Sequence, residues 1–400
     1  MIELLLFVFL GCIIGVFTGL IPGIHSNTVS FLVLAFGFSG SIELAAMFVA
    51  MGVTQSFVDF IPNIIFGAPD SDSFIGMLPG HRLLVKGEGM KAVGLATAGC
   101  LFGGIGAILL SSVFMDFVSG ILFFLPKIIP GALALVLFSM VLSEKGTRKK
   151  AFSALVISLS ALVGVSVLTL GQGGGNTGNS LMAPITGFFA VSTLVYSICS
   201  GTGLKRQEVK KISLPGKKIL KGSLLGIVGA SAVSIFPGVG ASEAAFIIRK
   251  AVGKIGTGTY LALIGAVSTA NIIFSLFVLL AAGKTRTGIA AIVKVLAVPQ
   301  AEMLWMFIGV SLVSMAFAVP ATFALAKFFL EKIRLLPYGK INAGILAFLV
   351  LIVGIFNGFY GIAVMGVSAC IGLIAVTEKV KRSHCMAFLM VPTILIYLAM

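Results

Sequence analysis

Apolar runs separated by short polar breaks dominate the 400-residue chain. They cover roughly residues 3–20, 29–38, 44–66, 92–115, 117–125, 131–143, 151–170, 183–200, 222–236, 240–248, 259–282, 288–298, 303–330, 341–356, 359–376 and 385–399. A helix needs about twenty apolar residues to cross a bilayer. The longer runs therefore predict transmembrane helices. The pairs 3–20 with 29–38 and 222–236 with 240–248 predict hairpins or broken spans. The pattern as a whole predicts an all-α, polytopic transmembrane helix bundle, with about ten to twelve crossings and some re-entrant or broken helices.

One break stands out: Gly19-Leu-Ile-Pro-Gly-Ile-His-Ser-Asn-Thr28. Pro22 has no amide hydrogen, and Gly23 tolerates backbone angles that other residues avoid, so a helix entering here is expected to break. Broken backbone at membrane depth survives where it is buried in protein or lines a polar cavity, and transporters bind substrate and ions at such breaks. The stretch returns 215 positions later as Ser234-Ile-Phe-Pro-Gly-Val-Gly-Ala-Ser242. At that offset Pro22 maps to Pro237, Gly23 to Gly238, Ile24 to Val239, Phe31 to Phe246 and Gly11 to Gly226. Duplication around paired helix breaks predicts two internal repeats. The expected division is a first transmembrane half at 1–203, a basic linker at 204–221 and a second half at 222–400.

Composition narrows the class. With 58% hydrophobic and 10% charged residues, the chain has more apolar surface than a soluble domain of this size can hide. The net charge of +15 does not point to nucleic acid, because the basic residues sit in short loops between apolar runs, as in cytoplasmic loops. These loops are His81–Lys91, Glu144–Lys150, Leu204–Lys221, Arg249–Lys254, Lys327–Lys340 and Glu378–Arg382. A multi-pass protein of the cell membrane, surrounded by lipid, with most basic loops cytoplasmic, is expected. Five scattered cysteines and three histidines give no disulfide framework and no metal-ligand spacing. Gly173, Gly175 and Gly178 match a dinucleotide fingerprint by letter only, since no soluble strand precedes them and no acidic ribose ligand follows in place.

Four polar patches interrupt the apolar background. Two are the Pro-Gly elements, with His25, Ser26, Asn27 and Thr28 in one and Ser242 and Glu243 in the other. The third, Gly67-Ala-Pro-Asp-Ser-Asp-Ser73, starts 45 positions after Pro22, and the fourth, Ala282-Gly-Lys-Thr-Arg-Thr-Gly288, starts 45 after Pro237. Asp70 and Asp72 in one copy answer Lys284 and Arg286 in the other. The spans joining the patches carry Gln55, Ser56, Asp59 and Asn63, and Ser268, Thr269, Asn271 and Ser275. Hydroxyls, amides and exposed backbone amides at helix ends suit a carboxylate or phosphate, whereas unwound carbonyls and carboxylates suit sodium or a proton. The candidate substrate residues are Ser26, Asn27, Thr28, Ser242, Asn271, Lys284, Thr285 and Arg286. The candidate ion-coupling residues are Asp59, Asp70 and Asp72. No cofactor is expected beyond Na+ or H+ as coupling ion.

Two segments also carry a resemblance. Ile61-Pro-Asn-Ile-Ile-Phe-Gly-Ala-Pro-Asp70 and Pro79-Gly-His-Arg-Leu-Leu-Val-Lys-Gly-Glu-Gly-Met-Lys-Ala-Val-Gly-Leu95 resemble the TctA-type large membrane subunit of tripartite tricarboxylate transporters. The Lys86-Gly-Glu88 run is the most specific part, and Leu20-Ile-Pro-Gly23 and Phe236-Pro-Gly238 look like the family's Pro-Gly elements. The likeness is strongest over 11–110 and clear again over 222–295. The chain departs from the family pattern at Ser268-Thr-Ala-Asn271 and at Ala282-Gly-Lys-Thr-Arg286, where the family has an acidic-Ala-x-Asn run and a Gly-Ile-Pro-Gly loop. The resemblance implies an ion-coupled permease. It also implies two partners, a small membrane subunit and an extracytoplasmic binding protein.

The residues and the resemblance together predict a secondary-active transporter for an organic anion such as a di- or tricarboxylate, cation-coupled and working by alternating access. The alternative readings are a transporter of a lipid-linked phosphate carrier and a membrane-embedded enzyme. The enzyme reading is disfavoured because no nucleophile–base pair or metal cluster can be named. The reading leaves room for a homo-oligomer and excludes nucleic acid as a partner.

Overall fold

The computed structural model describes residues 2–21, 40–65, 80, 82–121, 124–170, 182–200, 213–235, 241–253, 255–300, 302–332 and 338–399. Among them the regular structure is helical throughout. In chain order the helices are α1 (Ile2–Leu20), α2 (Ile42–Val58), α3 (Phe60–Ile65), α4 (Gly89–Leu109), α5 (Ser111–Ile121), α6 (Leu125–Leu142), α7 (Thr147–Leu170), α8 (Met182–Ile185) and α9 (Ser192–Ser200). They continue with α10 (Gly216–Val233), α11 (Ala241–Val252), α12 (Thr257–Ala282), α13 (Gly288–Leu296), α14 (Met303–Lys332), α15 (Tyr338–Thr377) and α16 (Ala387–Ala399). A π-helical segment, Thr186–Val191, joins α8 to α9, and a 3₁₀ turn, Arg382–Met386, leads into α16.

Among the described residues, eight helical segments are long and apolar enough to cross a membrane, and three apolar helices of 10–17 residues are shorter. The apolar runs near 117–125, 131–143 and 183–200 thus yield helices below spanning length. The runs 341–356 and 359–376 fall in the one element α15, which is two helices meeting at a kink. Gly358 stands at φ 62°, ψ −161°, a backbone conformation nearly confined to glycine. Across the kink a Cβ on Gly354 would stand 3.2 Å from Ile362 Cδ1. A continuous helix would carry those residues about 12 Å apart along its axis.

The helices group into two compact units. The first contains α1–α5 and α10–α14, and the second contains α6–α9, α15 and α16. The first is assembled by glycines placed against neighbouring backbones. On α1, a Cβ at Gly11 would run into the Met47 carbonyl of α2, and one at Gly15 would lie 2.5 Å from the Met51 carbonyl. On α10, a Cβ at Gly222 would meet the Thr259 carbonyl of α12, and one at Gly226 would lie 2.7 Å from the Leu263 carbonyl. Helix α4 meets α12 in the same way, with Gly99 against the Ala262 carbonyl and Gly265 against the Ala96 carbonyl. In lipid no hydrophobic force drives helices together, so this close approach supplies dispersion contact instead. The high glycine content has this structural use.

Two spans are almost wholly enclosed by the rest of the protein: Ile42–Ile65, with 94% of its apolar window buried, and Thr257–Ala282, with 89%. They are the spans whose interiors carry the polar residues noted in the sequence. In the second unit α7 exposes most of its surface, with 28% of its window buried. There Gly164 sits on the Phe388 carbonyl of α16, Gly372 of α15 lies on the Phe188 carbonyl of the π segment, and the Phe188 and Phe388 rings meet at a tilt with 5.4 Å between centroids.

Candidate functional site

The site is the polar seam of the first unit, where α2, α12 and the link from α12 to α13 come together, with α3 continuing from the end of α2. Ser41 starts α2, its hydroxyl accepting from the Leu44 amide at 3.2 Å, and Asp59 ends it, its amide donating to the Gln55 carbonyl at 3.0 Å. Asp59 therefore sits at the junction of α2 and α3, inside the apolar span and only 7% exposed. Gln55, Ser56, Asp59 and Asn63 fall at helical spacing and are all buried. On α12, Ser268, Asn271 and Ser275 recur at i, i+3 and i+7 and are buried too, Asn271 to 8% exposure.

Helix α12 stops at Gly283, which takes the left-handed conformation with φ 63°. Its amide donates to the Leu279 carbonyl at 2.8 Å, the usual glycine C-terminus. Lys284, Thr285 and Arg286 then form a non-helical link, and Thr287 starts α13. Lys294 Nζ donates to the Gly283 carbonyl at 2.7 Å, tying the far end of α13 back to the end of α12. Helix α13 lies on α2, where Ile289 fills the space that a side chain at Gly52 would need.

Counting protons separates structural hydroxyls from free donors. Ser56 Oγ donates to the Val53 carbonyl at 2.7 Å and lies 2.8 Å from Thr269 Oγ1. Ser56 has one hydrogen, so Thr269 is the donor of that second bond. Cys100 Sγ of α4 donates to the Ser56 carbonyl at 3.5 Å, closing a three-helix junction. The same logic holds lower on α12. Ser275 Oγ donates to the Ile272 carbonyl at 2.7 Å, Thr287 Oγ1 therefore donates to Ser275 Oγ at 2.7 Å, and the Ala290 amide donates to Thr287 Oγ1 at 3.3 Å. Every hydroxyl proton in both chains is used within the protein. Arg286 differs: its Nε and Nη2 are buried and have no hydrogen-bond partner among the described residues.

The sequence-derived residues fall as follows. Asp59, Asn271, Lys284, Thr285 and Arg286 all lie in the first unit. Lys284 and Thr285 are exposed, whereas Arg286 is partly buried. Ser242 is the second residue of α11. Pro22, Gly23, Ser26, Asn27, Thr28, Asp70, Asp72, Pro237 and Gly238 lie outside the described residues. Around them, α1 ends at Leu20, α10 ends at Val233 and α11 begins at Ala241. Among the described residues no cluster of three His, Cys, Asp or Glu side chains could hold a metal. Sequence reasoning passed over Thr287 as a site residue, although a threonine directly before Gly288 and an apolar run is a recognisable helix start. The bond from the Cys100 thiol to the Ser56 carbonyl, one helix away, leaves no local sequence signal.

This seam of buried polar side chains in spans otherwise apolar is what a membrane transporter requires, and comparison with known proteins agrees. The model of the tripartite tricarboxylate transporter TctA family matches residues 5–387. The chain belongs to that family. The TctA family is a transporter family rather than an enzyme family, so this multi-pass protein is a membrane transporter component. An uncharacterized protein of Methanocaldococcus jannaschii is 29% identical over 415 aligned positions, covering 98% of this chain and 99% of the relative. No solved structure matches.

Proposed function

We propose that this TctA-family protein is the translocating subunit of a cation-coupled secondary transporter for a small organic anion, a di- or tricarboxylate. Arg286 carries the reading. A guanidinium cannot shed its charge, and burying part of it without a partner is costly unless an anion completes it. The planar fork of Nε and Nη2 fits a carboxylate edge-on, with two parallel hydrogen bonds. The enclosed carboxylate of Asp59 serves the coupling cation, Na+ or H+, with Asp70 and Asp72 from the matching loop.

Two features support alternating access around halves 1–203 and 222–400, with 204–221 as the linker. Each half sends one enclosed span, α2–α3 or α12, into the seam. Gly11 and Gly226, one repeat apart, receive the carbonyls of those two spans in the same manner. The tripartite character of the family supports a small membrane subunit and an extracytoplasmic binding protein as partners, and the basic loops support a cytoplasmic position for the linker.

The test is ligand-induced stabilisation of the purified protein. Citrate, succinate, inorganic phosphate and a lipid phosphate are compared with and without sodium. A carboxylate should raise the melting temperature, sodium should enlarge the shift, and Arg286→Ala should abolish it. An undiminished carboxylate shift in Arg286→Ala overturns the assignment of the site. A shift with phosphates alone overturns the substrate class.

A further inference from the structure

The second unit holds a charged cluster that the transport site does not use. The link from α6 to α7 with the first turn of α7, Ser143–Lys150, meets the link from α15 to the 3₁₀ turn, Glu378–Arg382, more than 220 residues later. Three sets of contacts fasten them. Arg148 Nη2 donates to both carboxylate oxygens of Glu378, at 3.0 and 3.2 Å. Glu144 Oε1 accepts from the Lys381 amide at 3.1 Å and lies 3.1 Å from His384 Nε2. Lys381 Nζ donates to Ser143 Oγ at 2.6 Å. Arg382 turns inward to Thr193 Oγ1.

These contacts use both acids of the two segments. Glu144 is 7% exposed and enclosed by its donors, and Glu378 is held by Arg148. Against these two carboxylates the segments carry seven lysines and arginines. Lys145, Lys150 and Lys379 are exposed and Lys149 is half-buried, and none has an acidic partner among the described residues. Lys379 stands at φ 56°, the one non-glycine residue with positive φ among those described. Glycine would adopt that conformation at less cost, yet the position carries a cation. The patch also adjoins apolar surface: Leu142 and Leu155, on the helices that flank it, are 53% and 43% exposed. Arg148 itself lies over the Phe152 ring, 5.6 Å from its centroid.

We propose that this fastened basic patch binds the phosphate headgroups of anionic phospholipids in the leaflet it faces. Charge complementarity selects the occupant. Four ammonium groups with no acidic partner among the described residues lie at the ends of helices whose sides are apolar and exposed, so headgroup phosphates and acyl chains are the groups that meet both surfaces. Fastening two distant segments together fixes the cations before the lipid arrives, which lowers the ordering cost of binding.

The experiment adds phosphatidylglycerol, phosphatidylcholine of the same chains, or inorganic phosphate to the full-length protein in detergent and follows its melting temperature. Phosphatidylglycerol should stabilise, and salt at about 0.5 M should weaken the effect by screening. The combined variant Lys145→Gln, Lys149→Gln, Lys150→Gln and Lys379→Gln should lose most of the shift while keeping its own melting temperature, because the fastening contacts remain. An equal shift with phosphatidylcholine, or a full shift in the combined variant, overturns the proposal. Inorganic phosphate reproducing the whole effect overturns the lipid source. Should the combined variant fail to fold, lipid bound to the purified wild type decides: enrichment of phosphatidylglycerol over phosphatidylcholine supports the patch, and equal retention refutes it.

Discussion

Ser56 and Thr269 share a 2.8 Å hydrogen bond in the core of the first unit, although 213 residues separate them in the chain. Each comes from one of the two most enclosed spans, so the bond ties the last turn of α2 to the middle of α12. Because both hydroxyl protons are used within the protein, the pair fixes helix register and does not compete for an anion.

That role predicts a stability effect without an affinity effect. Ser56→Ala removes the acceptor and leaves the buried Thr269 hydroxyl without its partner, and Thr269→Val removes the donor. A double-mutant cycle by unfolding in detergent should return a coupling of about 0.6 kcal/mol, the usual scale for interhelical hydrogen bonds in membrane proteins. Anion affinity should change less than threefold in either single variant. A tenfold loss would move these hydroxyls into the substrate site.

The glycine contacts predict a position-specific cost. Gly99 lies against the Ala262 carbonyl, so Gly99→Ala forces α4 away from α12 and should destabilise by about 1–3 kcal/mol, as overpacking does. Gly309 on α14 has nothing within 4 Å of where its Cβ would stand. Gly309→Ala should be neutral or stabilising by about 0.5–1 kcal/mol through reduced backbone entropy. Equal effects of the two substitutions on melting temperature would remove close packing as the reason for the glycines.

Glu144 and Arg148 should differ in the same way. Glu144→Ala leaves His384, which is 0% exposed, and the Lys381 amide without their acceptor. Leaving a buried donor without its acceptor costs about 1–3 kcal/mol. Arg148 stands mostly in solvent, 78% exposed, beside a partly covered Glu378 at 26%. Arg148→Ala should cost no more than about 1 kcal/mol. Chemical denaturation of both variants checks the contrast.

Much of the first unit was legible in the sequence because membrane spans announce themselves by apolar length. The runs 259–282 and 303–330 became Thr257–Ala282 and Met303–Lys332, and the polar residues inside 44–66 and 259–282 marked the enclosed spans. The use of each polar group was not legible. Whether the Ser275 proton serves a backbone carbonyl or a ligand depends on rotamers and on Thr287, twelve residues away. The meeting of Glu144 with His384 depends on packing between segments 240 residues apart, and no periodicity encodes that. Charge alone likewise made Lys284 and Arg286 equivalent, and only burial separates them.

That separation gives the last prediction. Lys284 is exposed, so water screens its ammonium and its side chain must lose rotamer freedom to hold an anion. Arg286, two residues on, has buried donors and no partner among the described residues. If Arg286 reads the carboxylate, Lys284→Ala should change anion affinity less than threefold, with a loss that fades as salt rises. Arg286→Ala should reduce affinity at least tenfold, about 1.4 kcal/mol, with little dependence on salt. Arg286→Lys keeps the charge but replaces a planar fork by a point donor, so it should recover only part of the loss. Equilibrium binding of a radiolabelled carboxylate to the three variants, at low and high salt, measures each term. Full recovery by Arg286→Lys would reduce the role to net charge. A larger loss in Lys284→Ala than in Arg286→Ala would place the anion in the exposed part of the link, away from the buried seam.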